Sequence, residues 1–317
     1  MNRQLLPTEQ VTKQQLERLR QKYARENQNL FCHLERLIHE TTINYSDYLN
    51  IDTLLTLQKP RTAFPDELIF ISYHQIVELF FRLIRWELEQ LTDERTDLPP
   101  DVFADKVQRI NRYFRCVIDS FDIMANGLDK KQFVQFRYAL FPASGFQSLQ
   151  YRMIELWATD APNLVSRKWR STIHNQSPAE ELYAKMYWKR GAVEATTGGK
   201  SVTLTDFEHR YDRQLLQHLD DTRERNLNQT YWKRYAEQDS EGHIKEALRD
   251  MDQLANIHWQ MAHYRVAMKH LTSNKSATVP STGGTNWRKY LHPRFQLIIF
   301  FPKLWSASEL EEWGRID

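Results

Sequence analysis

The stretch DELIFISYHQIVELFFRLIRWELEQL, residues 66–91, decides the fold. Leu68, Ile69, Ile71, Ile76, Leu79, Phe80, Leu83, Ile84 and Leu88 recur at three- and four-residue steps, the period of an α-helix. Pro65 brings a preset φ to its start, and Asp66 places a negative charge at the first turn. The same period runs outward in both directions. From Val11 to Glu40, Leu16, Leu19, Tyr23, Leu30, Leu34 and Leu37 form a narrow stripe among Lys, Arg, Glu and Gln, which predicts one long helix suited to a partner helix from another subunit. Further helices are predicted over 100–125, 129–140, 146–157, 206–237 and 243–271. Ser201–Leu204 has the pattern of a short strand but no strand nearby to pair with. The predicted class is all-α.

Composition supports that class and removes several functions. The 9 Gly and 11 Pro are too few for a turn-rich β fold in 317 residues. The 43 basic and 41 acidic residues leave a charge of +2, so charge balance points to no nucleic-acid partner. Two cysteines, Cys32 and Cys116, make neither a disulfide framework nor a thiolate metal site. No run approaches the roughly 18 apolar residues of a membrane helix, and the N-terminus lacks an apolar signal core; a cytoplasmic protein with no membrane partner is expected. Residues 158–205 are mixed and polar. Their Gly199-Lys200-Ser201 ending is not a phosphate loop, because the first glycine of that motif would fall at Glu194 and no apolar strand precedes it.

Three positions carry chemistry. Arg137 stands among Phe133, Phe136, Leu140, Phe141 and Phe146; such a cation either snorkels to water or faces a carboxylate in an aromatic-walled pocket. His74 lies inside the most apolar helix, and His263 in Trp259-Gln260-Met261-Ala262-His263. Each alone reads as a hydrogen-bonded core histidine. Together, without cysteine or a zinc-type spacing, they fit one flat cofactor, with one imidazole on its iron and the other on the open face. The hydroxyl-rich run Thr272–Thr285 reads as a linker or as a loop that orders over a ligand.

The chain resembles the tryptophan 2,3-dioxygenase family in four blocks: Asn44–Leu55, Asp66–Leu79, Phe136-Arg137 with Ser144–Arg152, and Trp259…His263 with Thr282-Gly283-Gly284-Thr285 and Phe301–Trp305. The third follows the family's Phe-Arg…Ser-Gly-Phe-Gln-Ser-Leu-Gln-Tyr-Arg stretch almost letter for letter. Residues 158–245 show little likeness and read as a divergent helical insertion in a single domain spanning 1–317, with residues 1–40 as an N-terminal arm.

The resemblance implies a haem b (iron) enzyme that opens the indole ring of L-tryptophan with O2 to give N-formyl-L-kynurenine. It implies His263 as the iron ligand, with Trp259, Ser144 and Gly145 around the haem. His74 would be the catalytic residue that contacts the indole N–H. Arg137 would clamp the carboxylate, Thr282 would hold the ammonium and carboxylate, and Phe70, Phe133 and Leu140 would complete the wall. Tyr45, Tyr48 and Leu49 match residues that family members lend to a neighbouring subunit, which implies a homotetramer. Three departures stand out. Phe133 replaces a tyrosine usual four residues before the arginine. The loop between His263 and Thr282 is several residues longer. Ser281 replaces a glycine. They leave open a related aromatic amino-acid monooxygenase, and a non-catalytic haem or amino-acid sensor is the other alternative.

Overall fold

The computed structural model describes residues 7–39, 44–141, 147–192, 199–271 and 291–315. The chain divides into two compact units, residues 1–57 and 58–317.

The first unit holds α1 (Pro7–Arg25), α2 (Leu30–His39), α3 (Tyr45–Leu49) and α4 (Ile51–Leu54). The single helix predicted from Val11 to Glu40 is broken. Asn27 takes a left-handed φ of 52°, a conformation asparagine tolerates at a helix end, and the Gln28 N–H closes back on the Tyr23 carbonyl at 2.8 Å. Tyr23 then stacks on His33 across the break, ring centroids 4.1 Å apart. None of the described side chains in this unit is buried; Leu16, Leu19, Phe31, Leu37 and Ile38 all face outward.

The second unit is built on α5 (Asp66–Leu91) and α6 (Pro100–Asn126). Phe81, Ile84 and Leu88 of α5 meet Phe103, Val107, Ile110 and Phe114 of α6, every one fully buried at helical spacing. Each such side chain contributes about 1.5–3 kcal/mol of burial. Next come α7 (Lys130–Phe136), which tightens into a 3₁₀ turn at Arg137–Leu140, and α8 (Leu149–Ala158) against α5. The segment after α8 carries α9 (Ala179–Ala184), α10 (Tyr187–Gly191), α11 (Val202–Thr222) and α12 (Leu227–Thr230). The predicted strand at Ser201–Leu204 is instead a helix start: the Ser201 hydroxyl accepts from the Leu204 N–H at 3.2 Å, and capping suits serine better than an unpartnered strand. The helix predicted over 206–237 ends at Thr222, where Asn226 caps a new one. No strand and no helix long and apolar enough to cross a membrane occurs among the described residues.

The last long run is α13 (His243–Gln253), one π turn (Leu254–His258) and α14 (Trp259–Leu271). Across the turn the Trp259 N–H bonds the Leu254 carbonyl, five residues back. The extra residue is visible in the exposed edge. Glu246 and Gln253 face water on α13, and a regular helix carries that edge through Ile257, Gln260 and Tyr264. Exposed positions found beyond the turn include His258 and Arg265, each one residue past Ile257 and Tyr264. Below the turn, the Asp252 carboxylate is buried and clasps the C-terminal segment. It accepts from the Phe300 and Phe301 N–H groups at 2.8 and 3.0 Å and from the Trp305 indole at 3.0 Å. The long helix is thus held on one side of the turn and rotated on the other.

Candidate active site

His74 of α5 and His263 of α14 lie close enough to feel each other's charge, with Phe121 of α6 beside His263. Tyr73 packs edge-on against His74, ring centroids 5.1 Å apart, and lies 5.8 Å from Phe121, which stacks on His263 at 5.7 Å. Both imidazoles are half-buried. Burial holds each in its neutral form, His263 down to about 4, where His74 adds to the effect; a charge on one ring disfavours a charge on the other.

The tautomer of His74 follows from its partner. Its Nδ1 lies 2.7 Å from the Phe70 carbonyl, one turn back. A carbonyl oxygen only accepts, so Nδ1 carries the proton and Nε2 keeps its lone pair. Among the described residues Nε2 has no partner, and neither nitrogen of His263 has one. A neutral imidazole with an unused lone pair is what a haem iron requires. No three His, Cys, Asp or Glu side chains assemble as a metal cluster among the described residues.

Next to His263, one turn back, the Trp259 ring packs on Tyr151 at 4.3 Å and edge-on to Phe81 at 5.9 Å. The Trp259 Nε1–H and the Tyr151 hydroxyl are both buried with no hydrogen-bond partner. Two orphaned donors at such close rings suit an acidic group on a bound molecule, and the carboxylates of a haem are of that kind. The sequence reading placed Trp259 here and passed over Tyr151, although it sits in the most family-like block.

Arg137 is only 4% exposed, which removes the snorkelling reading. It opens the 3₁₀ turn after α7, with its guanidinium 6.0 Å from the centre of the Phe133 ring and 5.7 Å from that of Tyr138. Burial pulls its pKa below the usual arginine value. Phe133 in turn lies 6.0 Å from Phe70 and 5.6 Å from Phe136, and Phe70 is 4.1 Å from His74. Phe70, His74, Phe133 and Arg137 therefore form one wall, with Leu140 packed against the same core.

A residue absent from the sequence reading joins this wall. His270, on α14, is 2% exposed and lies 5.1 Å from Phe133. Its Nε2 donates to the Met124 carbonyl at 2.7 Å, while Nδ1 is buried without a partner. Leaving such an atom unpaired costs about 1–3 kcal/mol, whereas a neutral hydrogen bond returns about 0.5–1.5 kcal/mol. In Met268-Lys269-His270-Leu271 the histidine looks like basic decoration of a helix end; only its seven-residue spacing from His263 signals a shared face.

Ser144, Gly145, Ser281 and Thr282 lie outside the described residues. Tyr45, Tyr48 and Leu49 belong to the first unit, where they are exposed, the two tyrosines by 75% and 76%.

Comparison with known proteins identifies the family. Residues 33–230 match the tryptophan 2,3-dioxygenase family. A tryptophan 2,3-dioxygenase of Bacillus thuringiensis subsp. konkukian is 27% identical over 296 residues, which cover 86% of this chain and 96% of that protein. One of Herpetosiphon aurantiacus is 41% identical over 115 residues, 36% of this chain and 44% of its own length. One of Ruegeria sp. is 26% identical over 276 residues, covering 83% and 91%. The chain belongs to the tryptophan 2,3-dioxygenase family.

Proposed function

From that membership, we propose that the protein is a haem-dependent dioxygenase that opens the indole ring of L-tryptophan with O2 to give N-formyl-L-kynurenine. One observation supports this reading most: two neutral imidazoles from different helices stand close together, and each keeps an unused lone pair. His263 would hold the haem iron, with Trp259, Ser144 and Gly145 around the macrocycle. When bound, the haem supplies the activation of O2.

The chain's own work is recognition and exclusion of water. His74, proton fixed on Nδ1 by Phe70, offers Nε2 as the acceptor for the indole N–H. Arg137 offers two parallel N–H donors to the amino-acid carboxylate, a planar match that lysine lacks. Phe70, Phe133 and Leu140 wall the indole, and Thr282 meets the ammonium and carboxylate. In this reading the reaction asks the protein for orientation more than for proton transfer. The exposed Tyr45, Tyr48 and Leu49 complete the pocket of a neighbouring copy, in a homotetramer.

Anaerobic reduction of the haem-loaded protein, followed by O2 and L-tryptophan, tests the reading by mass. The expected product has gained two oxygen atoms. A gain of one atom makes the protein a monooxygenase, and no gain rejects oxygenation of tryptophan. In the same preparation His263→Ala loses most of its Soret absorbance, while His74→Ala keeps it. The reverse pattern means that the two histidines have exchanged roles.

A further inference from the structure

His270 lies on the face of α14 that bears His263, two turns further along, because seven residues return to the same side of a helix. It is an unusual choice for its surroundings. The adjoining cluster is apolar, with Ala267 and Leu271 packed by Phe133, Tyr264, Met268 and Leu291. A leucine there leaves no buried nitrogen unpaired, so the stability of the cluster does not call for histidine. What the histidine adds is direction. The Met124 carbonyl, in the last full turn of α6, fixes Nε2 and with it the plane of the ring, which meets Phe133 at 59°. The Arg137 guanidinium stands near the same Phe133 ring.

We propose that His270 is a positioning residue for the carboxylate clamp: anchored on Met124, it fixes Phe133 and thereby the place of the Arg137 guanidinium. The carboxylate site of α7 is then tied to the helix that carries His263. Phe133, which lacks the hydroxyl of a tyrosine and so cannot be fixed by a hydrogen bond of its own, is fixed from behind. This inference rests on the assignment of Arg137 as the clamp.

The test is calorimetric binding of L-tryptophan and of tryptamine, which lacks the carboxylate, to the haem-loaded full chain. In His270→Leu the Kd for L-tryptophan rises about fivefold, the scale of one oriented cation–ring contact. The Kd for tryptamine stays unchanged, the Soret band is retained, and the melting temperature is unchanged or higher. His270→Gln, which keeps an N–H for Met124 but not the ring, falls between the wild type and His270→Leu, and carries the test if the leucine variant does not fold. Equal losses for both ligands together with a lower melting temperature mean that His270 is merely structural and overturn the inference. So does an unchanged Kd for L-tryptophan. Absence of oxygenation in the wild type rejects the proposed activity instead and leaves the binding comparison standing.

Discussion

Arg137 and Arg152 sit fifteen residues apart in the same block of sequence, both almost fully buried, and their settings are opposite. Arg152 has its counter-charge within the fold: Nη1 is 2.6 Å from the Glu155 carboxylate and 3.1 Å from the Tyr187 hydroxyl. Burial works against its charge, but Glu155 and Tyr187 outweigh burial and raise its pKa. Arg137 stands over aromatic rings instead, and burial lowers its pKa. The difference teaches that burial alone does not assign a role to an arginine. A cation beside its own carboxylate is part of the architecture, whereas the one set against ring faces is the one proposed above for a ligand's carboxylate.

The largest expected effect breaks the Arg152 end. Arg152→Met strands Glu155 in the interior and costs about 3–5 kcal/mol in urea unfolding. The double variant Arg152→Met with Glu155→Leu recovers most of that, since a buried pair replaced by apolar groups costs little. If the double variant is as unstable as the single one, the pair is not the structural unit described here.

Acid breaks the same end more gently. His218 donates to the Met153 carbonyl, beside Arg152, and burial holds its pKa down at about 4, against the usual 6.5. A depressed histidine favours folding while neutral. Its contribution is therefore present above pH 6.5 and is lost as pH falls toward 4, by at most about 3 kcal/mol. His218→Gln, which keeps an N–H for Met153, flattens the fall in urea midpoint between those pH values. An unchanged slope assigns the acid sensitivity to other groups.

The smallest effect on the energy scale is the most telling for function. Arg137→Ala lowers kcat/KM for L-tryptophan about a hundredfold, the loss of charged hydrogen bonds to a carboxylate. It costs less stability than Arg152→Met, which strands the buried Glu155 carboxylate. Steady-state kinetics beside urea unfolding measures both, and the contrast fails if Arg137→Ala keeps its activity and loses the stability.

Most of the helical frame was legible because its signal is dense. Asp66–Leu91 and the helix from Pro100 repeat apolar residues at every turn, and their bounds agree with expectation to within about a residue. His74 and His263 were legible only as a pair, since each alone has the look of a core histidine. Features set by backbone geometry were missed. The left-handed Asn27 interrupts a continuous polar pattern, and Ser201–Leu204 has a strand's composition but a capping serine's job. The burial of Arg137 was undecidable from sequence, because a cation among phenylalanines satisfies both readings until the packing is seen. His270 escaped because beside Lys269 it reads as one more basic residue at a helix end.

The π turn works as a one-letter insertion in a repeating code. A helical wheel drawn from His243 straight through to Leu271 loses its register at residue 254 and assigns the His263 face to the neighbours Ala262 and Lys269. Anyone transplanting the His263 helix into another scaffold must therefore carry Leu254–Leu271, because a graft that starts at Trp259 leaves behind the turn that aims it.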